Sequence, residues 1–171
     1  MNLYLTTVKF QLFNYHRNGD LALFEEISEE FTQGITNFPE NAEMYAQFGN
    51  FELHRKNFDQ AVKLYEKCYE VDSSNANALC QKASAFIHGG KVVDGMNLLS
   101  EIVRDIDDEC SYAYEIMARI AKMQGNLNAE TDSLAKAIES SRDYREIFEY
   151  FISYYSAKAR QEVQSRFGLK R

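Results

Sequence analysis

"YAQFGNFELHRKNFDQAVKLYEKCYEVD", residues 45–72, holds two helical patterns separated by a three-residue break. Ala61, Tyr65 and Cys68 step by four and three, so they share one helix face. Tyr45, Phe48 and Gly49 do the same before the break at Arg55–Asn57. Sliding the stretch forward by 34 residues turns Tyr45, Gly49, Ala61, Tyr65 and Cys68 into Leu79, Ala83, Gly95, Leu99 and Ile102. A further shift of 35 gives Tyr114, Ala118, Glu130, Leu134 and Ala137. Recurrence at such an interval is the mark of a helical repeat array. The column Gly49, Ala83, Ala118 stays small throughout, which lets the first helix of each unit lie close to the second. The column Ala61, Gly95 breaks at Glu130, with Ala129 one step early.

The pattern predicts helices near 41–54, 58–71, 75–88, 91–105, 111–123 and 127–140, with turns at Arg55–Asn57, Gly89–Gly90 and Gln124–Asn126. The two glycine turns suit a positive φ. Upstream, 4–17 carries Leu5, Val8, Leu12 and Tyr15 at helical spacing. The segment 23–38 puts Ile27, Phe31, Gly34 and Ile35 on one face before Pro39 ends the helix. Downstream, the residues after 142 read as one long closing helix in which Tyr144, Phe148, Phe151 and Tyr155 cover the open end of the stack. Tyr150 and Tyr154 spread the aromatics beyond one face, so a second reading makes this helix a homodimer surface. The resulting organisation is an irregular helix pair at 1–40, units at 41–75, 76–109 and 110–141, and a cap with a basic tail at 142–171.

Composition excludes several classes. A net charge of −7 argues against nucleic acid, which needs a clustered Lys/Arg face. The charge is uneven: −5 over 41–109 against +3 over 142–171. Eight glycines, one proline and no Ser/Gly-rich run leave no linker. Cys68, Cys80 and Cys110 lack metal-ligand spacing and read as reduced core thiols. No apolar run is long enough for a bilayer. Asp105, Asp107, Asp108 and Glu109 lack the spacing of a calcium loop and read as a solvated turn. Glu25, Glu26, Glu29 and Glu30 read as one polar helix face. No nucleophile has an activating neighbour and no phosphate loop occurs, so neither an enzyme nor a cofactor is expected.

The 34-residue pattern resembles the tetratricopeptide repeat (TPR) family, and 42–75 follows it almost column for column. The resemblance implies an all-α, TPR-type solenoid of antiparallel helix pairs with a long C-terminal capping helix. Glu52 departs from it, standing where that family has an aromatic, with Phe51 beside it to fill the gap. Its groove-facing columns fall on Glu43, Ala46, Asn50, Leu53 and His54, then Asn77, Cys80, Ser84, Ile87 and His88, then Tyr112, Glu115, Arg119, Lys122 and Met123. From these the peptide-binding residues expected are Glu43, Asn50, Leu53, His54, Asn77, Ser84, Ile87, His88, Glu115 and Arg119. Glu43 and Glu115 would be acidic walls. Leu53 and Ile87 would seat an apolar face of the ligand. His54 and His88 share a column, but equivalent atoms of adjacent helix pairs stand roughly 10 Å apart, so no metal is expected.

Taken together, "FPENAEMYAQFGNF", "CSYAYEIMARIAKMQGNL" and the terminal "QEVQSRFGLKR" resemble the C-terminal part of the seventy-kilodalton TPR import receptors of the mitochondrial outer-membrane Tom complex. That resemblance implies a precursor receptor on the cytosolic face of the mitochondrial outer membrane. Its partners would be precursor proteins with carrier-type internal signals and other Tom complex subunits, and its anchor would lie outside this chain. Hsp70 and Hsp90 tails would be met only by upstream repeats, because the positions of the family's carboxylate clamp hold Ala46, Asn50, Gln81, Tyr112 and Ile116 here. The alternative reading is a TPR scaffold or co-chaperone module that holds a stable assembly together.

Overall fold

The computed structural model describes residues 21–141 and 155–168. These form α1 (Leu21–Asn37), α2 (Ala42–His54), α3 (Phe58–Val71), α4 (Ala76–His88), α5 (Val92–Glu101), α6 (Ser111–Met123), α7 (Leu127–Glu139) and α8 (Ala157–Phe167), with no strand among the described residues. The architecture is an all-α stack in which α2 pairs with α3, α4 with α5 and α6 with α7, the first pair stacking on the second through α3 and α4, and the second on the third through α4 and α5 against α6. The expected helix at 4–17 lies outside the described residues, as do Tyr144, Phe148, Tyr150, Phe151 and Tyr154.

Small residues set the spacing within pairs. A Cβ added to Gly49 would sit 2.6 Å from Tyr65 Cε1, and one added to Gly95 would sit 2.7 Å from the Ala83 carbonyl oxygen. Neither leaves space for a methyl group, so the first two helix pairs each close on glycine at one point. The turns between paired helices share one geometry: Lys56, Gly90 and Gly125 all have positive φ, at 62°, 85° and 69°. Lys56 adopts the left-handed conformation that glycine takes in its two counterparts, at a cost of about 1 kcal/mol. Glu52 fastens this first turn. Its carboxylate is buried, accepting from Asn57 Nδ2 at 2.6 Å, with Arg55 Nη1 at 3.3 Å. Phe51, fully buried, fills the aromatic role beside it.

The change of interval from 34 to 35 residues has a local cause. After Glu101 the helix continues as a π-turn over Ile102–Ile106, closed by the Asp107 N–H bonding to the Ile102 carbonyl at 2.8 Å. The helical run 92–106 is thus one residue longer than α3, and the turns that follow, Asp72–Asn75 and Asp107–Cys110, match. In each the aspartate side chain accepts a backbone N–H two residues on, from Ser74 and from Glu109, both at 3.1 Å. A single-residue bulge is how an α-helix absorbs such an insertion.

The N-terminal end is dry. Phe31 stacks on Phe48 with ring centroids 5.0 Å apart, Phe24 meets Phe51 edge-on at 5.7 Å, and the Arg55 guanidinium covers both Phe24 and Phe51. Ile27 and Gly34 are buried on the same side of α1, as its spacing predicts, while Ile35 is half-buried. At the other end the closing segment departs from a single unbroken helix. The backbone is extended at Ser156, whose Oγ accepts the Ala159 N–H and caps α8. The Ser156 N–H in turn donates to the buried Glu130 Oε1 at 2.6 Å. That bond requires the chain to leave helical geometry at 155–156, and it explains why the small-residue column ends in glutamate. Tyr155 is buried as expected, against Ala118, Leu134, Ile138 and Val163.

Candidate functional site

The first helices of the three pairs, α2, α4 and α6, present the residues expected to bind a peptide, and the structure sorts them into three groups. Glu43, His54, Asn77 and His88 are exposed. Asn50, Leu53, Ser84, Ile87 and Arg119 are half-buried, and Glu115 is buried.

Several half-buried members already have work within the stack. Asn50 Oδ1 accepts from Tyr65 Oη at 2.8 Å and lies 3.4 Å from Gln81 Nε2, so it joins α2 to both α3 and α4. Tyr65 is buried, which pushes its hydroxyl pKa up and favours the neutral, donating form. Leu53 packs against Ala61, Tyr65 and Ala85. Ile87 closes over Gly95. Both leucine and isoleucine therefore offer edges rather than whole side chains to a ligand. The exposed tips of the three helices are His54, His88 and Met123, the last 84% exposed.

Glu115 is not an open acidic wall. Only 4% of its surface is exposed, and Arg119 Nε lies 3.1 Å from Oε1, too poorly aligned for a hydrogen bond. Burial raises its pKa above the usual carboxylate range, and the Arg119 charge offsets this only in part. Tyr112 beside this pair is likewise raised, first by burial. Glu43 is the acidic group that solvent reaches, with Gln47 Nε2 donating to it at 2.7 Å.

Sequence reasoning missed the polar junction behind this pair. Tyr155 Oη, Thr131 Oγ1, Arg160 Nε and Glu115 Oε1 are buried with no hydrogen-bond partner among the described residues. The signal for it was Glu130, the residue that breaks the small column. The positions of the carboxylate clamp offer no cation: Ala46 and Ile116 are buried and Asn50 is engaged by Tyr65.

Comparison with known proteins agrees with this geometry. No model of a known protein family matches the chain. The human mitochondrial import receptor subunit TOM70 is 30% identical over 141 residues, 82% of this chain and 23% of the relative, and the rat receptor matches over the same extent. The chain thus spans about a quarter of the length of these relatives. The wheat Hsp70-Hsp90 organizing protein is 27% identical over 103 residues, 60% of this chain and 16% of the relative. Among solved structures, yeast Tom70 superposes with a TM-score of 0.64 at 18% identity, covering 95% of this chain and 34% of that one. MamA from Desulfovibrio magneticus RS-1 follows at 0.57 and 13% identity, covering 98% and 90%. At 30% identity over 82% of its length the chain belongs to the TOM70 family of mitochondrial import receptor subunits, and its fold is of the tetratricopeptide-repeat type.

Proposed function

We propose that this chain is part of a mitochondrial protein import receptor at the cytosolic face of the outer membrane, and that the surface built by repeats 41–75, 76–109 and 110–141 holds precursor segments for transfer to the translocase. The 30% identity to the TOM70 receptors over 82% of the chain carries this reading. The chemistry of the surface supports it. Peptides with one apolar and one basic face suit a row of exposed helix tips at His54, His88 and Met123, apolar edges at Leu53 and Ile87, and an accessible carboxylate at Glu43. Asn77 and Ser84 add neutral hydrogen-bonding groups between them. Arg119, half-exposed over the buried Glu115, would meet a carbonyl or carboxylate of the ligand. Such a mixed surface binds reversibly, because ordering a flexible segment takes back part of the contact energy. No catalytic role and no cofactor belong to this reading.

A second reading is favoured by the similarity to the wheat Hsp70-Hsp90 organizing protein: a co-chaperone or scaffold module. Titration of fluorescent peptides separates the two. An internal carrier-type signal should saturate the chain and weaken with salt, while its scrambled form and a peptide ending in Glu-Glu-Val-Asp should not bind. Saturation by the Glu-Glu-Val-Asp peptide alone would overturn the precursor reading in favour of the co-chaperone one.

A further inference from the structure

Two cysteines meet where the second helix pair stacks on the third. Cys80, in the middle of α4, and Cys110, at the end of the turn Asp107–Cys110, are both buried with their sulfurs 3.5 Å apart. They are separated by 30 residues in sequence, and both belong to the cluster of Leu79, Ala83, Leu99, Ile102 and Ala113. Cys68, the third thiol, packs in a different cluster with Met44, Phe48 and Leu64.

We propose that Cys80 and Cys110 form an oxidation site: a vicinal thiol pair that a peroxide converts into an intramolecular disulfide joining α4 to the start of α6. The sulfurs need approach by only about 1.5 Å to reach bonding distance. The two thiols differ in character. Contact with the Cys80 sulfur holds the Cys110 thiol below its usual pKa, against the effect of burial. The N–H groups of Ala113 and Tyr112 act in the same direction, although no capping bond closes on its sulfur. Cys80 is pushed up, first by its contact with Cys110 and then by burial. The thiolate that forms is therefore that of Cys110, at a helix N-terminus beside a surface turn. Its sulfur attacks the peroxide O–O bond, giving a sulfenic acid and hydroxide. The Cys80 sulfur then attacks the sulfenic sulfur and expels its oxygen, so that two thiols and one hydrogen peroxide become one disulfide and two waters. Cys68 has no sulfur partner among the described residues and stays reduced. The bond closes a long loop across the contact between two helix pairs and fixes their stacking. Reduction by a dithiol reopens it. This inference does not depend on the import-receptor reading.

The test uses the whole 171-residue chain, fully reduced and then exposed to a slight excess of hydrogen peroxide. Free thiols counted in denaturant should fall from three to one. A digest should yield a peptide linking the segments that contain Cys80 and Cys110. The thermal midpoint should rise by roughly 5 °C and return with dithiothreitol. Peroxide consumption should speed up with rising pH at lower pH than for an ordinary thiol, because the Cys110 pKa is lowered, and this phase should vanish in Cys110→Ser. Cys68→Ser should oxidise like the parent. Linkage of Cys68 to either partner, or sulfinic acid at Cys110 without a cross-link, overturns the proposal, and the map of the unmodified chain decides it even where a variant fails to fold.

Discussion

The two ends of the array are built on opposite principles. On the N-terminal side α1 closes on α2 through Phe24, Phe31, Phe48 and Phe51, a continuous aromatic cluster with the Arg55 guanidinium lying over two of its rings. At the C-terminal end α8 closes on α7 around buried Glu115, Glu130 and Thr131, with Tyr155 and Arg160 contributing buried polar atoms that have no partner among the described residues. The first end is one repeat docking on another, so the same shapes recur and fit. The second ends the repetition, and the exposed face of the last pair is completed by a segment that has no repeat geometry of its own. Polar anchors such as Glu130 to Ser156 give that segment one register where apolar contact alone would allow several.

The largest test of this contrast is Phe31→Ala. Removing a fully buried ring from the stacked cluster should cost about 3–4 kcal/mol in denaturant unfolding. A loss below about 1 kcal/mol would mean the aromatic end carries little of the stability.

Glu130→Ala strikes the other end. It leaves the Ser156 N–H unpaired and should cost about 1–3 kcal/mol. The loss should be local, with faster amide exchange across 156–167 than in α2 and α3. Uniform acceleration would show that the junction and the repeats unfold as one unit.

Glu115→Gln probes the charge buried beneath Arg119. The folded carboxyl has a raised pKa, so on raising the pH the unfolded chain loses this proton first, and stability drains away from just above the ordinary carboxylate pKa up to the folded one. The glutamine variant should show a flatter stability profile just above the ordinary carboxylate pKa. An unchanged slope would place the pH dependence elsewhere.

Lys56→Gly sharpens the comparison among turns. With glycine in the conformation its counterparts use, stability should rise by about 0.5–1 kcal/mol. The smallest effect concerns the proposed peptide surface. Because Glu43 is solvent-accessible, Glu43→Ala should weaken a basic signal peptide by about threefold, or about 0.7 kcal/mol at low salt, and leave a neutral one unchanged. Equal loss for both would remove the carboxylate from recognition.

Much of the fold was legible because repetition states each contact three times. The small column Gly49, Ala83, Ala118 and the turn glycines Gly90 and Gly125 are local demands of backbone geometry, and a local demand leaves its mark in the residue type. The candidate surface was less legible. Glu115 occupies the same column as Ala46 and Cys80, and spacing alone reads it as a wall residue. Whether solvent reaches it depends on Tyr155 and α8, far along the chain. Asn50 reads as a free polar group until Tyr65 and Gln81 are seen to use its carbonyl oxygen.

By itself the amino-acid sequence determined the repeat, its interval, the helix ends and the faces that turn inward, because helical period, glycine conformation and side-chain volume act over a few residues. The tertiary structure alone decided that the interval of 35 is a π-turn at Ile102–Ile106, that the chain breaks at Ser156 to satisfy Glu130, and that Cys80 meets Cys110. These features join residues that the chain keeps apart. Burial and hydrogen bonding between distant segments have no period, so they become visible only when the helices are stacked.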